Sequence, residues 1–133
     1  MQIKTLFSIQ LHYQKKRRSS HFDLRVLDRK KKVLVSWAFP KSKFPEEKER
    51  MLAIRTPDHP ISYMYYQGKL DNDDQVVVYD VGKCIIVTST NNYFLIYFEG
   101  KKIKGAYNFI RLIHSKDNWL VTKSKKAMET TNV

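Results

Sequence analysis

Cysteine is nearly absent from this 133-residue chain: Cys84 stands alone. One thiol excludes an internal disulfide and any thiolate zinc cluster. Followed by Ile85, Ile86 and Val87, it reads as a small core residue. Glycine and proline number only four each, while 42% of residues are hydrophobic, which excludes a low-complexity or disordered chain. No run approaches the ~18 apolar residues of a membrane span, and the opening MQIKTLFSIQLHY lacks the blocks of a signal peptide. A cytoplasmic protein with no membrane partner is expected. Negative charge is the last scarcity. Thirteen Asp and Glu face 25 Lys and Arg, a formal +12, and such a field suits a polyanion such as nucleic acid.

The length suits a single domain over residues 1–126, with 127–133 as a flexible C-terminal tail. Apolar residues alternate at Phe7, Ile9 and Leu11, and again at Phe22, Leu24 and Val26, the period of half-buried strands. VLVSWAF, QVVVYDVG, CIIVTST, NYFLIYFEG, AYNFIRLI and NWLVTK are further short β-branched or aromatic runs bounded by turn residues. PKSKFPEEKERMLAI is the one helical candidate, with Pro45 near its first turn and Glu46, Glu47 and Glu49 suiting an N-terminus. Together these predict a mostly β fold: a small closed or nearly closed β-barrel with one short helix and a polar active-site crevice. The basic clusters KKRR (15–18), RKKK (29–32), Lys101–Lys102 and KSKK (123–126) fall mostly in expected loops, placed to grip phosphates at the rim of a sheet.

The polar sides of the first two strands carry the chemistry. If they pair antiparallel, Gln10 and His12 share a face with His21, Asp23 and Arg25, and His12 comes near His21. Two imidazoles and a carboxylate suit a divalent transition metal, and a guanidinium two residues on can fork the oxygens of a phosphate. The same alternation also suits a solvated ion-pair ladder without function, and a slip of one residue would reverse the face. A second cluster, TPDHPISYMYY, brackets Asp58 and His59 between Pro57 and Pro60 in stiff extended backbone. A strand continuing from there puts His59, Ile61 and Tyr63 on one face. His59 suits a phosphoryl contact or proton transfer, and Tyr63 a phenolic hydrogen bond.

Taken in order, Gln10-x-His12, His21-x-Asp23-x-Arg25, Ser36-Trp37-Ala38-x-Pro40-Lys41 and Asp58-His59-Pro60 with Tyr63 resemble the 3′-phosphoesterase domain of bacterial DNA ligase D and its short stand-alone bacterial and archaeal forms. The resemblance implies a β-barrel enzyme, manganese-dependent, that removes a 3′-terminal ribonucleoside by phosphodiesterase action and then the 3′-phosphate by phosphomonoesterase action. The product is a 3′-OH for non-homologous end joining. It implies His12, His21 and Asp23 as metal ligands. Arg25 and His59 would bind the scissile phosphate, and Tyr63 would complete the catalytic set. Mn2+ is the expected cofactor, with Co2+ or Zn2+ as substitutes. Lys41, Gln10 and the loop residues Lys15, Lys16, Arg17 and Arg18 are assigned to the nucleic acid.

The expected partners are DNA or RNA/DNA 3′ ends of primer–template duplexes, with a separate DNA ligase and a Ku-like protein. The expected setting is a monomer at the nucleoid. The rival readings are a nucleic-acid-binding barrel without catalysis, in which Tyr13, Trp37, Tyr63, Tyr65 and Tyr66 stack bases, and a phosphoesterase acting on RNA or small nucleotides. Several positions depart from the family pattern: Pro57 stands where an acidic residue usually precedes Asp-His-Pro, and a common arginine falls at or beside Met51, with Arg50 and Arg55 as substitutes. KKRRSS lengthens the loop between His12 and His21, and LDNDDQ stands where a glycine-rich loop is usual.

Overall fold

Alternation becomes a closed wall. In the computed structural model, which describes residues 2–125, nine strands follow one another. They are β1 (Ile3–Gln14), β2 (Ser19–Asp28), β3 (Val33–Phe39), β4 (Arg50–His59), β5 (Gly68–Lys69), β6 (Gln75–Ser89), β7 (Tyr93–Gly100), β8 (Lys104–Arg111) and β9 (Asn118–Ser124). The sheet order is β1-β2-β3-β4-β9-β8-β7-β6, and β6 pairs back onto β1, so eight strands close a barrel without a free edge. The two-residue β5 is a side ladder on β6. QVVVYDVG and CIIVTST, read above as two runs, form the single long strand β6. The expected tail, 127–133, lies outside the described residues. Among the described residues no helix is long and apolar enough to cross a membrane.

The barrel interior takes every second residue. Phe7 and Ile9 of β1, Phe22, Leu24 and Val26 of β2, Trp37 and Phe39 of β3, and Phe98, Phe109, Trp119 and Val121 opposite them make one buried cluster with Cys84. Each large apolar side chain so buried is worth about 1.5–3 kcal/mol before chain entropy is counted. The thiol of Cys84 is pushed up to about 12 by burial, as suits a core residue.

The 40–54 stretch is not a helix. Residues 40–49 form a turn-rich connection, and Met51 and Ala53 point inward while Leu52 is exposed, the period of a strand. Two local features compete successfully with helix formation. The ring of Phe44 stacks on Phe39 in the core at 4.4 Å, and the Glu49 carboxylate accepts from the Glu46 N–H and from Lys43. Among the described residues the one helical segment is a 3-10 turn at Ile61–Tyr63.

The outer face of β1–β3 is unusual for a barrel, because it is polar and buried. Ser8, Gln10, Asp23, Arg25 and Ser36 are all shielded from solvent. The connection from β4 to β6 provides part of the cover. Met64 is buried within it, and the Gln10 amide donates to the carbonyls of Tyr63 at 3.0 Å and Tyr66 at 3.2 Å. A polar crevice is left between this cover and β2.

Candidate metal and phosphate site

β1 and β2 pair antiparallel with His12 opposite His21, Gln10 opposite Asp23 and Ser8 opposite Arg25. The polar residues therefore share one face in the expected register, and the pleat that buries Phe22 and Leu24 turns Asp23 outward. The two imidazoles lie 4.6 Å apart between centroids. His12 Nδ1 is 3.5 Å and His21 Nε2 is 3.2 Å from the same oxygen, Asp23 Oδ2. One donor atom from each of the three residues falls within 4.8 Å of the others.

Ligand atoms bound at ~2.1 Å around one ion stand ~3.0–3.4 Å apart in octahedral or tetrahedral geometry, so this nitrogen–nitrogen–oxygen set fits a transition metal with little movement. It fits calcium poorly, which prefers an all-oxygen shell.

Asp23 is surrounded by positive partners. Burial alone would raise its pKa, but hydrogen bonds to His12 and His21 and the charge of Arg25 outweigh that and hold the carboxyl well below its usual range. His12 moves the other way. Its hydrogen bond to Asp23, with help from Asp74, raises its pKa against the opposing effect of burial.

The residues expected to meet phosphate adjoin this set, beginning with Arg25 on β2. Arg25 is buried, and its Nε donates to Gln10 Oε1 at 2.9 Å. One of its terminal nitrogens is 3.7 Å from Asp23 Oδ2, and another is 3.2 Å from His59 Nδ1. Burial lowers the guanidinium's pKa, with Asp23 opposing, but a guanidinium stays charged at any physiological pH.

His59 reaches this face through a bulge in β4: Ser36 pairs with Thr56, whereas Leu34 pairs with His59, so two residues, Pro57 and Asp58, face one. The strand then ends. Tyr63 does not continue it; the 3-10 turn brings the Tyr63 ring to 5.5 Å from His59, with the Arg25 guanidinium 5.3 Å from the ring centre. Burial raises the Tyr63 pKa and lowers that of His59, and the charge of Arg25 also acts to lower His59.

The structure thus brings His12, His21, Asp23, Arg25, His59 and Tyr63 into one crevice. Gln10 does not meet a ligand. It is fully buried, and its amide is spent on Arg25, Tyr63 and Tyr66, so it positions those groups and cannot contact nucleic acid. Trp37 is likewise a core residue, which removes it from any base-stacking surface. Lys15, Lys16, Arg17 and Arg18 are exposed on the β1–β2 hairpin beside the metal set. Lys41 is exposed just after β3, at the end where Ser42 Oγ lies 2.9 Å from Ser20 Oγ.

One site residue was not assigned a role from sequence: Asp74. Its Oδ2 lies 2.9 Å from His12 Nε2. The acidic run LDNDDQ was its only signal there, and nothing local in that run points to His12.

The closed eight-strand barrel thus carries on its outer face a His-His-Asp set that could hold a metal ion, beside an Arg-His pair. The model of the DNA ligase D 3′-phosphoesterase domain matches residues 10–111, and this chain belongs to that family. It is 32% identical over 131 residues to the multifunctional non-homologous end joining DNA repair protein LigD of Mycobacterium tuberculosis H37Rv, covering 90% of this chain and 16% of that protein. The corresponding protein of Mycolicibacterium smegmatis is 31% identical over 135 residues, with 90% and 17% covered. That of Pseudomonas aeruginosa is 26% identical over 117 residues, with 79% and 14% covered. The chain therefore spans only about a sixth of the length of these relatives.

Proposed function

We propose that this protein is a manganese-dependent 3′-end-processing phosphoesterase, which removes 3′-terminal ribonucleosides and 3′-phosphates from DNA and leaves 3′-OH ends for non-homologous end joining. The observation that carries the reading is the direct adjacency of the His12–His21–Asp23 set to Arg25 and His59 in a chain of this family. Substrate would be a primer–template 3′ end, and a ligase and a Ku-like end-binding protein would act on the same ends in the cytoplasm.

His12, His21 and Asp23 would hold Mn2+, with Co2+ or Zn2+ as alternatives. Such an ion supplies positive charge to phosphoryl oxygens and acidifies water. The chain's own residues supply the rest. Arg25, fixed by Gln10, places a charged fork where negative charge spreads over the non-bridging oxygens.

In the diesterase step water adds to phosphorus. The bond to the 5′ oxygen of the terminal nucleoside breaks, and that oxygen takes a proton. In the monoesterase step a second water adds to phosphorus, the bond from phosphorus to the 3′ oxygen breaks, and that oxygen takes a proton, giving a 3′-OH end and inorganic phosphate. His59 would bind the phosphate and would be the candidate to deliver a proton, with Tyr63 packed against it. The exposed cations of the β1–β2 hairpin and Lys41 would hold the backbone of the nucleic acid.

A labelled primer–template ending in one 3′-ribonucleotide or in a 3′-phosphate tests this. With Mn2+ the product should be a 3′-OH end, absent with chelator and reduced at least ~1,000-fold by Asp23→Ala, since a ligand and a buried charge are removed together. Folded protein that shifts the DNA without converting it would instead identify a binding module. Conversion of RNA or free nucleotides with no preference for a duplex end would move the substrate class.

A further inference from the structure

We propose that Asp74 is a positioning residue of this site: it fixes His12 as the Nε2–H tautomer, so that Nδ1 is the nitrogen presented toward Asp23 and His21. The inference rests on the metal-site reading above.

His12 stands between two carboxylates, with Nδ1 3.5 Å from Asp23 Oδ2 and Nε2 2.9 Å from Asp74 Oδ2. An ionised carboxylate can only accept, so the shorter contact places a proton on Nε2, and once the ring is neutral, as a metal ligand must be, Nδ1 is the nitrogen left with the lone pair. Nδ1 is the atom on the side of the ring shared with His21 and Asp23, where a metal would sit. A histidine ligand whose second nitrogen donates to a carboxylate is oriented and made more basic by it.

Asp74 is itself held from several directions. It is buried. Its Oδ2 also accepts from the Asn72 amide at 3.1 Å, its own N–H donates to Asn72 Oδ1, and its carbonyl accepts from the Leu70 N–H. The remaining oxygen, Oδ1, accepts from the backbone N–H of Lys15 at 3.1 Å. Lys15 opens the lengthened hairpin between the two histidine strands. Two stretches that depart from the family pattern, KKRRSS and LDNDDQ, therefore meet at this one carboxylate. The ladder holds His12 opposite His21 as far as Gln14 and Ser19, and Asp74 joins the hairpin backbone to the His12 ring. The exposed pair of Lys15 Nζ with Asp73, at 3.7 Å, adds little to this. Asp74 is not itself a member of the converging donor set, which consists of His12, His21 and Asp23.

The test uses the full chain with Asp74→Ala, and Asp74→Asn as the variant closest in shape should alanine compromise folding. Long-range proton–nitrogen NMR of the metal-free protein, at a pH alkaline enough to leave the rings neutral, should show His12 as Nε2–H in the wild type. Both variants should show a mixed or inverted tautomer. Titration of Mn2+, followed by the loss of the free-ion EPR signal, should show affinity lowered about 10–100-fold in both.

An unchanged tautomer with affinity within about twofold of wild type would overturn the proposal. So would a loss as deep as that of Asp23→Ala with the tautomer unchanged, which would make Asp74 a ligand. Failure of the underlying reading looks different: the wild type itself would bind no Mn2+, Co2+ or Zn2+, and the proposal would fall with it.

Discussion

His59 is asked to bind an anion from a position where it prefers to be neutral. Burial and the charge of Arg25 both lower its pKa from the usual 6.5. Its Nδ1 lies 2.8 Å from the Pro57 carbonyl oxygen, closer than the 3.2 Å to Arg25, so Nδ1–H donates to that carbonyl and Nε2 is left as the basic nitrogen. Binding a phosphoryl oxygen at Nε2 must therefore take up a proton.

Two expectations follow, both read by NMR titration of the ring. In the free protein His59 should titrate below 6.5, and inorganic phosphate in the presence of Mn2+ should move it upward. A free value at or above 6.5, or no response to phosphate, would remove the proposed role. The linkage to stability has a definite sign. Because the folded value is depressed, the unfolded chain takes up more protons as pH falls through 6.5 toward that value. His59 thus subtracts stability in that window, and His59→Gln should be less acid-sensitive there.

At this scale the sequence was informative about the six residues that line the crevice, because each lies in a short pattern. It was silent about Asp74 and misleading about Gln10. Asp74 meets His12 across 62 positions, and Gln10 meets Tyr63 across 53. A polar residue on a strand's outer face looks exposed until something is known to cover it.

The hairpin of β7 and β8 shows what elements contribute. Asp80, buried at the register shift in the middle of the β1–β6 ladder, accepts from the backbone N–H groups of Lys101, Lys102 and Ile103 and so pins the turn. Its carboxylate needs room beside Gly100, where an added Cβ would collide with Asp80 Oδ2 and with the ring of Phe7. Neither can retreat, since Phe7 is fully buried and packs edge-on against Phe98 at 4.9 Å. Gly100→Ala should therefore destabilise by about 1–3 kcal/mol, seen as a lower urea midpoint with an unchanged slope. A midpoint equal to wild type would show that the clamp is softer than these contacts imply.

Strands of this kind were legible because alternation is a local signal. The turn at 40–49 was not, because an acidic run after Pro45 imitates a helix start, and the contacts that oppose it, Phe44 on Phe39 and the Glu49 carboxylate on the Glu46 N–H and Lys43, appear only once the chain is folded. The Met51–Leu52–Ala53 alternation held the correct answer within the same stretch.

At the scale of the whole molecule the charge of +12 has a direction. β2 runs along the crevice, with His21 near its start and Arg25 past its middle. The KKRR hairpin precedes it and the RKKK turn follows it. Cations thus stand at both ends of the line on which the metal set and the phosphate residues lie. Nucleic acid laid along β2 would meet both loops. Lys101 and Lys102, on the β7–β8 turn, belong to another part of the rim: Lys102 packs over Tyr79 at 4.0 Å.

A purely diffuse field would make any such cluster equivalent, whereas an aligned site would not. Each phosphate left without its cation should reduce the slope of log affinity against log salt by roughly 0.9 for duplex DNA. Replacing Lys16, Arg17 and Arg18 together by Gln should therefore lower the slope by about 2–3. The Lys101–Lys102 double replacement should leave it within about 0.5. Filter binding of an uncleaved 3′-OH duplex over a salt series measures both. Equal slopes for the two variants would mean that the charge attracts DNA without orienting it, and that end recognition rests on the crevice alone.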